Sequence, residues 1–125
     1  MLNVNLNMLE ESLAETQKVL RDGLLSADIF DRQTGLSLAG HNSNPTAAAV
    51  VTQLRGEIDH AMSTAGFPGI GSFFYIALAQ NKAVAVLMHG DDIMEGWLLD
   101  ASRANLGVLF SLAIPRALTA VQSAR

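Results

Sequence analysis

The sequence predicts a single α+β domain over residues 1–125, with five strands in one antiparallel sheet and helices covering both of its faces. Three observations predict it. The hydrophobic period changes along the chain in the order helix, two strands, helix, three strands, helix. The links within each strand group are too short for anything but antiparallel neighbours. In the strand from Ala83 to Met88 both alternating sets are apolar, Val84, Val86 and Met88 on one side and Ala83, Ala85 and Leu87 on the other, so neither face is wet.

The first helix is read from Leu9, Leu13, Thr16 and Leu20 at helical spacing, with Glu10, Glu11, Glu15, Lys18 and Arg21 on other faces. Asn7 and Glu10 have the spacing of a capping box at its start, and Asp22-Gly23 marks its end. Leu24 to Phe30 and Leu36 to His41 are strand-like runs joined by the turn-rich Asp31 to Gly35, which makes a hairpin. Asn44-Pro45 then opens a second helix, whose wide apolar stripe is Ala47, Val51, Leu54, Ile58, Ala61, Met62 and Ala65 and whose stop is Gly66. Gly66 to Gly71 breaks the pattern. Ser72 to Ala79, Ala83 to Met88 and Met94 to Leu99 follow as a meander, and Asn105 to Ser123 as a last helix. Pro115 lies inside that helix, where it lacks a donor and clashes with the carbonyl of Ser111, so a kink or a break is expected.

Joining the hairpin to the meander through strands one and five leaves strands two and three at the edges. Strand three, Phe73 to Ala79, has neither proline nor charge to blunt it. Such an edge aggregates or pairs, and pairing with a second copy across a two-fold axis would continue the sheet. Composition agrees, since 50% of residues are hydrophobic and only 16% charged, leaving little polar surface to cover a monomer.

Eight Lys and Arg against twelve Asp and Glu give a net charge of -4 without a basic cluster, which argues against nucleic acid as a partner. The absence of Cys removes disulfides, thiolate zinc sites and cysteine nucleophiles, and fits a reducing compartment, so a cytoplasmic protein is expected. Met1 to Met8 lacks the basic start of a signal peptide, and the apolar stretch Leu106 to Ile114 is under half the length of a bilayer crossing. No membrane span is expected.

Chemistry-bearing groups are few. His89-Gly90-Asp91-Asp92 with Glu95 contains the ingredients of a divalent-metal site, but Gly and Asp at such positions make a hairpin turn, and no metal is expected. Gly66, Gly69 and Gly71 precede a strand, the reverse of a phosphate-cradling loop. No Gly-x-Ser-x-Gly elbow frames a nucleophile and the three His are scattered, so no catalytic residue, cofactor or enzyme activity is expected. His41 closes a strand, His60 has Glu57 one turn earlier as a surface pair, and Trp97 reads as core rather than as a ligand-stacking ring.

Asp28-Ile29-Phe30-Asp31 through Thr34-Gly35-Leu36-Ser37-Leu38-Ala39-Gly40, the run Ala47-Ala48-Ala49, and Ala104-Asn105-Leu106-Gly107, set in this order of elements, resemble the roadblock/LC7 family over nearly the whole chain. The resemblance implies helix two on one face of the sheet and helices one and three on the other. It also implies a homodimeric scaffold without an active site, paired at Phe73, Phe74, Tyr75, Ile76, Ala77 and Leu78 of strand three, with both second helices side by side as a platform. Bacterial and archaeal relatives similar to the gliding-motility regulator act on Ras-like small GTPases, and eukaryotic ones serve as dynein light chains or exchange scaffolds. The expected role is therefore to bind one small GTPase per dimer, in a GTPase-activating or localising capacity. Gln53, Arg55, Glu57 and His60, on or near the polar side of helix two, are the expected contacts. Pro115 departs from the family's uninterrupted last helix. The alternative is a small-molecule sensor with a profilin-like layout, enclosing its ligand near the sheet under Trp97.

Overall fold

Helix α1 (Leu6–Leu20) begins where the Asn5 side chain accepts the Met8 N–H at 3.2 Å, in a computed structural model that describes residues 2–125. The cap is thus Asn5 and not the expected Asn7. The reason is tertiary: the Asn5 N–H donates to the Ala124 carbonyl at 2.8 Å, which fixes the chain earlier than the local signal does. A 3-10 turn, Arg21–Gly23, then leads into β1 (Leu24–Asp31) and β2 (Ser37–His41). The second helix, α2 (Ala47–Thr64), follows an Asn44 side chain that accepts from the Thr46 N–H at 3.0 Å, and just beyond its end stands Gly66, whose φ of 81° favours glycine. Strands β3 (Phe73–Ala77), β4 (Lys82–His89) and β5 (Ile93–Asp100) form the meander.

The sheet runs β2-β1-β5-β4-β3, antiparallel throughout, with β1 joined to β5 and therefore β2 and β3 at its edges. Alternation divides the core in two. Ala27, Ile29, Ala85, Leu87, Trp97 and Leu99 pack under Leu9, Leu13 and Leu20 of α1 and the buried stripe of the last helix. Phe30, Val86, Met88 and Met94 project to the opposite face, where Val51 of α2 meets them. Helix two therefore covers one face and the first and last helices the other, as the resemblance implies.

The last helix, α3 (Leu106–Ala124), is neither broken nor left uniformly α-helical. Its middle, Leu109–Ala113, is π-helical, and α-helix resumes over Ile114–Ala124 with Pro115 near the new start. Proline is well tolerated in a first turn, and the wider π turn absorbs the donor it lacks. By length and composition alone α3, 19 residues long, could cross a bilayer, because moderate hydropathy extends beyond the apolar stretch Leu106 to Ile114. Here Leu109, Ala113, Ile114, Ala117, Val121 and Ala124 are buried against the sheet and α1 as a core stripe.

Candidate interaction surface

Strand β3 pairs only with β4, from Phe73↔Leu87 to Ala77↔Ala83, so its outer row of backbone groups has no partner among the described residues. Tyr75 packs on the α1/α3 side, where its ring and that of Phe73 lie 5.4 and 6.2 Å from the ring of Phe110 on α3. Phe74 turns to the α2 side. Phe73 and Phe110 are 38% and 41% exposed, so this aromatic cluster stays open at the sheet edge. Leu78 and Ala79 fall outside the strand, although the sequence predicts them within it. Gln80 and Asn81 take φ of 62° and 57° in a tight turn, and the Leu78 N–H closes it by donating to the Lys82 carbonyl at 2.8 Å.

Helix α2 departs most from expectation. Of its 18 residues only Val51 is buried, whereas the apolar stripe predicts an extended core contact. Val51 sits over Gly96, where an added Cβ would lie 3.0 Å from its Cγ2, and the helix is held there by that close approach. Leu54 and Ile58 are only half-buried, and Val50, Ala61 and Met62 are exposed. An apolar helix side and an uncapped strand edge thus face outward on a chain with little charge.

Gln53, Glu57 and His60 are exposed on α2, and the Gln53 amide donates to Glu57 at 3.2 Å, which takes the place of the expected His60 pairing. Arg55 is not free on the polar side. Its side chain is 13% exposed, its Nε lies 3.6 Å from Asp59, and its Nε and Nη1 have no hydrogen-bond partner. Asp59 in turn accepts the Ile70 N–H at 2.9 Å, which ties α2 to the segment leading into β3. No sequence signal marks that role for Asp59, because its partner is a backbone group eleven residues away.

The residues of the suspected metal motif do not converge. His89 and Glu95 are buried on the α1/α3 side, Nε2 to Oε1 2.8 Å, and the Trp97 indole N–H donates to the other Glu95 oxygen at 2.7 Å. Asp91 is exposed, while Asp92 holds Arg125 at 2.7 Å. That guanidinium hydrogen bond lowers the Asp92 carboxyl below its ordinary range against an opposing desolvation, and Asp92 in turn raises Arg125. Trp97 is 1% exposed and belongs to the core, as the sequence predicts.

No known protein-family profile matches the sequence, and no curated protein matches it either. Solved structures do match in shape. MglB of Myxococcus xanthus superposes with a TM-score of 0.75 at 10% identity, over 100% of this chain and 96% of that one. The gliding protein MglB of Thermus thermophilus gives 0.71 at 17% identity, over 94% and 91%. A roadblock/LC7 domain of Streptomyces avermitilis gives 0.72 at 16% identity, over 91% and 92%. The chain has the roadblock/LC7 fold.

Proposed function

We propose that this protein is a non-enzymatic, cytoplasmic, homodimeric scaffold that binds and regulates, or localises, a Ras-like small GTPase. The observation that carries this reading is the pairing of a bare β3 edge with a helix α2 that buries one residue in eighteen. Folding of one chain leaves both unused, and association is the ordinary way such surfaces are covered. The shape shared with MglB, a gliding protein in Thermus thermophilus, supports a regulatory role over a catalytic one.

Dimerisation through β3 would bring both copies of α2 together, and one asymmetric GTPase across the two-fold axis would exclude a second. Gln53, Glu57 and His60 are the exposed polar groups of that platform. Because Arg55 is tucked beside Asp59, α2 offers no free arginine to insert into a nucleotide site, and stimulation of hydrolysis would proceed by ordering the GTPase's own switch loops.

The test is titration calorimetry with the Ras-like GTPase encoded in the same genome, in its GTP- and GDP-bound forms. We expect two chains per GTPase, with weaker and less salt-sensitive binding after Glu57→Lys with His60→Glu, and an unchanged dimer by light scattering. Equal affinity of the double variant would remove α2 as the contact. No binding in either nucleotide state would remove the GTPase.

A further inference from the structure

Between the N-terminal half of α2 and the sheet lies a half-open pocket of about 170 Å³ with mainly apolar walls, formed by Val50, Val51 and Leu54 above and by Gly96, Trp97 and Leu98 below. Asp28 is the one charged side chain lining it. That carboxylate is 6% exposed, and its single hydrogen bond is from the Asn44 N–H at a long 3.4 Å. A buried carboxylate ordinarily collects several good donors or a counter-charge, because desolvating it without them is costly. Glu95, the other buried acid, has both of its oxygens matched at 2.7 and 2.8 Å. Asp28 has no cation beside it among the described residues.

Its placement is specific. Asp28 pairs across the sheet with Gly40, where a Cβ would overlap the Ser43 hydroxyl and stand 3.2 Å from Asp28 Oδ1, so the glycine makes room first for Ser43 and also for the carboxylate. Ser26 and Thr46 add hydroxyl-bearing residues to the same wall. The volume is on the order of the cavity, about 150 Å³, that holds a benzene-sized guest in an engineered protein core. A largely apolar, half-open pocket with one weakly hydrogen-bonded carboxylate is complementary to a small apolar cation.

We propose that the cavity beneath α2 is a binding site for a small primary ammonium ligand with a compact apolar body, the ammonium donating to Asp28 and the apolar part seated against Val51, Leu54 and Leu98. This reading is independent of the GTPase reading. The ligand would sit under the helix that forms the platform, so its arrival is felt first in how α2 rests on β5.

The test is a nitrogen-15 NMR titration of the full chain with benzylammonium chloride, and with benzyl alcohol as the neutral control, at constant potassium chloride concentration. We expect saturable shifts at the amides of Ser26, Asn44, Val51 and Gly96, and affinity for benzyl alcohol weaker by about tenfold or more, the worth of one charged hydrogen bond. Asp28→Asn should abolish the preference for the cation. Ala47→Leu, which keeps Asp28 but fills the chamber from the helix side, should block both compounds. The proposal is overturned if the two compounds bind alike, if no saturable shifts appear at those amides, or if Ala47→Leu binds benzylammonium as wild type does.

Discussion

Val51 rests on Gly96 so closely that the α2-to-sheet distance is set at this one contact, where a Cβ on Gly96 would come within 3.0 Å of Val51 Cγ2. Val51 is the only fully buried residue of the helix, with Ala48 packed partly buried beside it, so little else in α2 can compensate when that contact changes.

Gly96→Ala should therefore destabilise the fold by about 1–3 kcal/mol, the usual range for overpacking, by lifting α2 from β5. Adding Val51→Ala should return part of that loss, because the clashing methyl is gone. A double-mutant cycle by urea denaturation measures the coupling, and an additive result would show that the helix is held elsewhere.

Glu95 accepts from both Trp97 and His89 inside the core, so its removal strands two polar groups at once. Glu95→Ala should cost about 2–5 kcal/mol, as expected when two buried polar groups lose their partner at once. Glu95→Gln keeps an oxygen for the indole and should cost less. Equal losses in the two variants would mean that packing, not hydrogen bonding, sets the penalty.

Arg125 reaches back from the end of α3 to Asp92 at 2.7 Å and to the His89 carbonyl at 2.9 Å. The Asp92 carboxyl is lowered in the folded state, first by that side-chain hydrogen bond. Its contribution to stability is therefore complete above the unfolded carboxylate's value of about 3.9 and is lost as pH falls through the lower folded value. Arg125→Ala should flatten the acid limb of the stability profile and leave the slope near neutral pH unchanged. Asp91→Asn should stay within about 0.5 kcal/mol, since Asp91 is exposed, whereas Asp92→Asn should cost more.

If β3 is the dimer edge, the thermal midpoint should rise with protein concentration, because assembly adds to folding by mass action. Ile76→Pro removes a backbone donor from that strand and should yield a monomer or an insoluble chain. Light scattering that finds the wild type monomeric at micromolar concentration would contradict the paired edge.

Periodicity made most of the fold legible, and its failures have a common cause. Ala83 to Met88 is placed in a two-sided sheet because both residue sets are apolar, and the edge position of Phe73 follows once strands one and five are joined. Periodicity shows which side of an element is apolar without showing what lies against it, so Leu54, Ile58 and Met62 read as core although the chain itself leaves them open. Asn7 offered a better local cap than Asn5, yet the Ala124 carbonyl overruled it. Arg55 sits four residues before Asp59 at ordinary surface spacing, and only the Asp59 bond to Ile70 reveals how closely that part of α2 is tied in. Asp28 reads in the sequence only as part of the Asp28 to Asp31 run, since its burial depends on a helix that begins nineteen residues later.

The chain has one tryptophan and one tyrosine, and the fold gives them different neighbourhoods. Trp97 is sealed under α1 and α3 with its indole N–H on a carboxylate, while Tyr75 stands half-buried on the edge strand beside Phe110. Intrinsic fluorescence excited at the indole therefore reports the melting of one layer only, and α2 could leave its face of the sheet with little optical trace. Tyrosine emission, by contrast, watches the edge, so the two chromophores divide a single unfolding experiment into an inner and an outer channel.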